Sequence, residues 1–241
     1  MIAFAALIDV TLRGLLGRRR TLLMVVLAGL PVLVGLLIRL GGGRSDAPEI
    51  LDTLVIRTVL PLIALVFGTA TIGSEIEDGT VVFLLAKPIA RWRIALAKLG
   101  VAAGLTAALT VPAILATSVL VGGFGRDSLS TGFGFALAAV AGGTAYAVAF
   151  AALGVVTSRA LVVGLGYTLL WEGVLAGLLD GTRFMSIRQG TLGVAAALTG
   201  DDVGVDVLSP VVSVAILSVV VVGGFVLTAR VLTRFQVRSA D

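Results

Sequence analysis

The chain has 241 residues, of which 58% are hydrophobic and only 13% charged, and its mean hydropathy is +1.13; so little polar surface excludes a water-soluble domain and makes lipid the solvent. Cysteine and histidine are both absent, which removes disulfides, thiolate and HExxH metal sites and every nucleophile that needs a histidine partner, so neither an enzyme nor a resident metal is expected. The formal charge of +4 does not point to nucleic acid, because the arginines and lysines flank apolar runs, where retention on one side of a membrane accounts for them.

Residues 2–17 place Phe4, Leu7, Ile8, Leu12, Leu15 and Leu16 on one helical face and Asp9 and Arg13 on another, the pattern of an amphipathic helix lying along a leaflet. An N-terminal extension of the following helix is the alternative. Arg18, Arg19 and Arg20 follow, at headgroup level. The basic cluster comes after an apolar stretch and no small-residue cleavage site closes the next one, so no signal-peptide cleavage is expected. A spanning helix needs roughly 20 apolar residues. Six segments approach that length: 21–39, which contains Pro31; 54–73, which carries Arg57; 91–121; 133–157; 160–179, which carries Glu172; and 209–230. Residues 74–88 join the second and third spans, Gly122 to Asp127 form the turn between the third and fourth, and 181–208 make one long outer segment whose Gly190–Leu198 stretch is apolar enough to dip into the interface.

The expected fold is therefore a single all-α transmembrane domain, 1–241, of six helices. Its orientation follows from the basic residues. With the N-terminus in the cytoplasm, Arg13, Arg18, Arg19, Arg20, Lys87, Arg91, Arg93, Lys98, Arg159, Arg230, Arg234 and Arg238 lie inside and only Arg39, Arg44, Arg126, Arg183 and Arg188 outside. That asymmetry predicts both termini in the cytoplasm.

The stretch from Gly73 to Arg93 carries the most information. Ser74 and Glu77 have capping-box spacing, so a short helix is expected to begin there. Gly79 permits a reversal, Thr80 can cap again, and Val81–Ala86 is one compact apolar element before Pro88. Acids lead this knob and bases follow it; a purely structural turn is the plain alternative.

Glu75, Glu77, Gly79, Thr80, Leu84, Leu85, Pro88, Arg91 and Lys98 closely resemble the segment between spans two and three of ABC-2 permeases; Ala90 departs from the small polar residue customary before the arginine. A weaker likeness, Trp171–Glu172 followed by Ser186, Ile187, Arg188 and Gln189, resembles some copper-maturation and antibiotic-export permeases of that family. The resemblance implies a multi-pass permease subunit of an exporter in the cell inner (plasma) membrane. It also implies an ABC ATPase partner in two copies that binds ATP and Mg, a second permease that is a copy or a related chain, and a coupling helix formed by 74–88, with Ser74, Glu75, Glu77, Gly79, Thr80, Pro88 and Arg91 as its residues. The chain itself cannot be the ATPase: its only lysines, Lys87 and Lys98, precede Pro88 and Leu99, so neither is the lysine of a GxxxxGK[ST] loop.

Arg57 and Glu172 are the ionisable residues well inside the expected spans, and such groups are costly enough to suggest function. At 1.5 Å per residue both fall roughly 9 to 12 Å below the outer edge, so they are expected to pair, within one chain or across a dimer of permeases. Snorkelling of Arg57, with Glu172 in a wet cavity or protonated, is the alternative. An ATP-independent transporter or channel using Arg57 and Glu172 as a relay is the second functional reading. Glycine pairs Gly100/Gly104 and Gly173/Gly177 have the spacing of close helix packing. Thr53, Thr58, Thr106, Thr110, Thr117, Ser118, Tyr146 and Tyr167 either line a route or satisfy local carbonyls.

Overall fold

A computed structural model describes residues 2–42, 46–77, 90–175, 180–200 and 207–234, and every regular element among them is a helix. Helix α1 (Ile2–Leu15) is amphipathic as its pattern predicts. Its buried face, Leu7 and Leu15 with half-buried Ile8 and Leu12, packs on another helix of the chain: Leu7 meets Ile94 and Ala97. Asp9 and Arg13 pair at 3.0 Å on its exposed side.

Helix α2 (Arg18–Leu40) runs through Pro31. The next span begins earlier than its apolar run suggests. Helix α3 (Ala47–Ile50), a π-helical stretch (Leu51–Val59) and α4 (Leu60–Glu77) follow without interruption, because Pro48 and Glu49 suit a first helical turn that has no intrahelical use for its amides. At its other end α4 continues through Ser74 to Glu77. The capping box expected to start a new helix at Ser74 is instead the last turn of this one, held by half-buried Ile76 against a cluster of Ile72, Ala95, Val155 and Leu232.

Helix α5 (Arg91–Gly122) is reversed at Gly123, whose φ of +82° is accessible to glycine. Arg126 and Asp127, expected in the turn, form the first turn of α6 (Arg126–Val156), where the acid of Asp127 favours the positive end of the helix dipole. Helix α7 (Ala160–Gly166) passes into a second π-helical stretch, Tyr167–Leu175. A 3-10 turn (Asp180–Met185) leads to α8 (Ile187–Thr199), and α9 (Pro210–Arg234) completes the bundle.

Five of these helices are long and apolar enough to cross a membrane: Arg19–Leu40, Ala47–Gly73, Arg91–Gly122, Arg126–Val156 and Pro210–Thr233. Ala160–Val174, in the expected fifth span, is shorter within the described residues.

Helix α6 is the hub, packed by α4, α5, α8 and α9. Its span window is 67% buried, against 22% for α2 and 17% for α9, so those two present most of their surface outward. Because lipid tails offer no less apolar a contact than leucine, association rests on close fit. Gly68 of α4 supplies it, since a Cβ there would lie 2.7 Å from the Ala147 carbonyl oxygen, and Gly73 crosses Gly154 lower down. The glycine pair picked out by spacing behaves differently: a Cβ at Gly100 or Gly104 would meet nothing within 4 Å.

One end of the bundle carries Arg20, Glu75, Arg91, Arg93, Arg159 and Arg230 and is called the basic end below. From the opposite end α8 turns back into the bundle between α6 and α9. Thr191 lies against Gly142 and Thr199 against Gly134, so α8 runs antiparallel to α6 with its first residue deepest.

Candidate functional site

Two polar constructions stand out in this apolar frame. The first is at the basic end, where α4 ends and α5 begins. Lys98 is seven residues into α5, about 10 Å from its start, and its side chain is 1% exposed. Its Nζ donates to Glu75 Oε1 at 2.6 Å and to the Thr71 carbonyl at 2.9 Å. A buried ammonium is tolerated in such a setting only when its protons are satisfied, and Lys98 achieves this by bridging two successive turns of α4. The pair thus clamps the ends between which the 78–89 segment is strung.

Of the residues expected to form the coupling element, Ser74 and Glu77 belong to the last turn of α4, Glu75 is in the clamp, and half-buried Arg91 opens α5 after Ala90. Gly79, Thr80 and Pro88 lie outside the described residues, as do Leu84, Leu85 and Lys87. Beside Arg91, the Arg93 guanidinium covers the face of Trp92 at 5.2 Å, a contact that steadies an exposed aromatic ring.

The second construction surrounds the deep end of α8. Ser186 is its N-cap, accepting from the Gln189 amide at 3.0 Å. The carboxylate of Glu172, 1% exposed, accepts from Tyr167 Oη at 2.9 Å, Ser186 Oγ at 2.5 Å, and the Ile187 and Arg188 amides at 2.9 and 3.4 Å. Helix amides at an N-terminus point at a negative charge and carry the positive end of the dipole, so this is where a membrane-buried carboxylate is best stabilised. Arg188, in the first turn of α8, reaches Asp52 of the first π-helical stretch with Nε at 3.2 Å and Nη2 at 2.5 Å, both side chains 8% exposed. Two-pronged geometry suits a guanidinium and a carboxylate in a dry site.

Within one chain Arg57 and Glu172, expected to pair, have other partners. Arg57 Nη2 donates to the Gly173 carbonyl at 2.5 Å, one residue from Glu172, while the Glu172 carboxylate is occupied by α8. Depth places the two close together and rotation about the helix axis separates them. The bond joins the two π-helical stretches, whose wider turns alter which residues face the neighbouring helix.

Three of the eight hydroxyls named for a route are satisfied by carbonyls of their own helices, and buried Thr117 Oγ1 has no hydrogen-bond partner among the described residues. Thr106 donates to the Ala102 carbonyl, Thr110 to Thr106, and Thr58 to Thr53. Ser118 and Ser128 exchange bonds with one another's carbonyls across the α5–α6 turn. Tyr146, wholly buried, stacks on Phe150 at 5.8 Å, and its hydroxyl has no close partner among the described residues.

The sequence motif of Trp171–Glu172 and Ser186–Gln189 is thereby one site in space. Two residues central to these constructions, Asp52 and Lys98, were not assigned a partner from the sequence. The signal available for Lys98 was an ammonium inside an apolar helix with Glu75 as the nearest acid at matching depth; for Arg188, it was a cation opening an apolar segment.

A model of ABC-2 family transporter proteins matches residues 21–162, which takes in α2 to the start of α7, the Lys98–Glu75 clamp and the segment between them. No match is found among curated proteins.

Proposed function

The chain belongs to the ABC-2 transporter family, and from that premise we propose that it is the permease subunit of an exporter whose ATP is hydrolysed on a separate ABC ATPase chain. The observation that carries this is the family match, which covers more than half the chain and includes the 74–88 segment. Family membership makes it a multi-pass membrane transport subunit with an ABC ATPase as partner. The finer reading is of six spans in the inner (plasma) membrane, Ala160–Val174 being the core of the fifth, with the basic end in the cytoplasm. Two ATPase copies and a second permease complete the transporter, and ATP and Mg reside on the ATPases.

In this reading residues 74–88 are the coupling element, with Ser74, Glu75, Glu77, Gly79, Thr80, Pro88 and Arg91 as its contact and shaping residues. The clamp supports it mechanically. A push on the segment is passed to α4 and α5 together, because Lys98 and Glu75 prevent the two helix ends from moving apart; a segment hung from loose ends would absorb the displacement.

The test is affinity purification of the chain from its native membrane, followed by ATPase assay of the complex with and without Glu77→Ala and Gly79→Pro. A stoichiometric ATPase whose binding or transport-coupled hydrolysis falls with these changes supports the proposal. A lone oligomer without ATPase would sink it and return attention to ATP-independent transport.

A further inference from the structure

Beside the Lys98–Glu75 clamp, the basic end contains a small cavity of mixed lining that the proposed function does not use. It has a volume of about 170 Å³ and lies where α2, α4, α6 and the α6–α7 turn meet, with Arg20, Gly73, Gly154, Thr157, Ser158 and Leu161 in its lining. Its floor is the crossing of Gly73 and Gly154, where a side chain on Gly154 would come within 3.0 Å of the Thr69 carbonyl oxygen. The absence of side chains there keeps the cavity open.

The chemistry of the lining is one-sided. Arg20 is half-buried, and no hydrogen bond or ion pair holds its guanidinium among the described residues. No acidic side chain among the described residues lines the cavity. Thr157 Oγ1 accepts from the Arg159 amide at 3.2 Å, which leaves its proton to donate, and Ser158 is exposed. An arginine and two hydroxyl residues on one cavity lining, with no acid among them, is a donor set suited to a tetrahedral oxyanion. Lys98, by contrast, is consumed by Glu75 and the Thr71 carbonyl.

Position chooses the source of that anion. Leu161 on the cavity wall is 51% exposed, and Leu22, Leu23 and Val162 beside it are 64, 61 and 68% exposed, so the opening is bordered by surface that faces acyl chains. Arg20 itself is at the membrane boundary, in the first turn of α2. We propose that this cavity is a specific binding site for the phosphate headgroup of an anionic phospholipid, held by Arg20 with Thr157 and Ser158, from the leaflet at the basic end. The site fixes α2 to the α6–α7 turn, two parts of the chain that the described side-chain hydrogen bonds do not otherwise connect. It is independent of ATPase pairing, so the two proposals fail separately.

Purified protein in neutral detergent is titrated with dihexanoyl phosphatidylglycerol, dihexanoyl phosphatidylcholine and inorganic phosphate, reading Tm. Wild type is expected to gain Tm saturably with phosphatidylglycerol and less with phosphatidylcholine, whose choline neutralises the headgroup. Arg20→Gln raises the apparent Kd by about tenfold or more, as loss of a charge-assisted anchor should, and Thr157→Val raises it less. Exposed Arg19→Gln leaves it within about twofold, because a screened surface charge adds little. Should Arg20→Gln not fold, Arg20→Lys and Thr157→Val carry the same comparison. Equal losses for Arg19→Gln and Arg20→Gln, equal effects of the two lipids, equal efficacy of inorganic phosphate, or no saturation would each overturn the proposal.

Discussion

Lys98 of α5 and Glu75 of α4 are joined at 2.6 Å, with the Lys98 side chain 1% and the Glu75 side chain 30% exposed, directly behind the helix ends that hold the 78–89 segment. The asymmetry in exposure sets the outcome of mutation. Glu75→Ala strands a buried ammonium whose remaining partner is the Thr71 carbonyl, and is expected to cost about 3 kcal/mol, as breaking one side of a buried pair does. Lys98→Met leaves the acid on the more exposed of the two side chains, from which a rotamer change can carry it toward water, and is expected to cost less. The double change Glu75→Gln with Lys98→Met is expected to be milder than Glu75→Ala alone. Thermal unfolding of the purified variants checks the order; equal losses for both single changes would show that the pair is solvated.

The second prediction concerns the pins of α8. Arg188 and Asp52 are each 8% exposed and bound by two prongs, so Arg188→Met or Asp52→Leu alone should cost about 3–5 kcal/mol by leaving an unpaired charge. The chain has no cysteine, which makes a single introduced thiol a clean reporter. Thr191→Cys, buried against Gly142, is expected to be inert to a membrane-impermeant maleimide in the parent and to become reactive when Asp52 is replaced. A thiol that stays protected in the Asp52 variant would mean that packing alone holds α8.

Much of this architecture is legible in the sequence, because apolar length and the placement of arginines follow from the bilayer. The early start of the second span was legible too, in Asp46-Ala47-Pro48-Glu49, where a capping residue, a first-turn proline and an acid coincide; hydropathy alone favoured the later start. The Arg57–Glu172 pairing illustrates what linear distance does not contain. Two residues at one depth meet only if both helices are rotated to suit, and the π-helical stretches at Leu51–Val59 and Tyr167–Leu175 change that rotation without any mark in the residue types. Ser186 as a helix cap is local chemistry and readable; its capture by a carboxylate fourteen residues earlier is tertiary and is not.

Glu172 gives the third prediction. Its carboxylate takes four donors, three of them from Ser186, Ile187 and Arg188. Glu172→Gln keeps one acceptor oxygen and turns an amide toward groups that are themselves donors, so it should cost about 1–3 kcal/mol, the range for leaving buried donors unmet. Glu172→Ala removes every acceptor and should be worse, whereas a relay residue would lose transport in the glutamine variant with stability intact. Tm and transport measured side by side separate the two roles.

The last prediction distinguishes glycines by what faces them. Gly68→Ala would put a methyl group 2.7 Å from the Ala147 carbonyl oxygen and 3.0 Å from Phe150 Cβ, both on the hub helix α6, and neither backbone nor a buried ring can yield cheaply. Overpacking of this kind costs about 1–3 kcal/mol. Gly100→Ala and Gly104→Ala meet nothing within 4 Å and are expected to leave the Tm of the isolated chain unchanged or slightly raised, since alanine is the better helix former. The same two substitutions become informative in the assembled transporter. They line an apolar groove between α1 and α5 of about 540 Å³, bordered by Ile8, Leu12 and Leu105; if they weaken assembly while sparing the isolated chain, that groove is filled by another subunit, and if they spare both, it is filled by lipid.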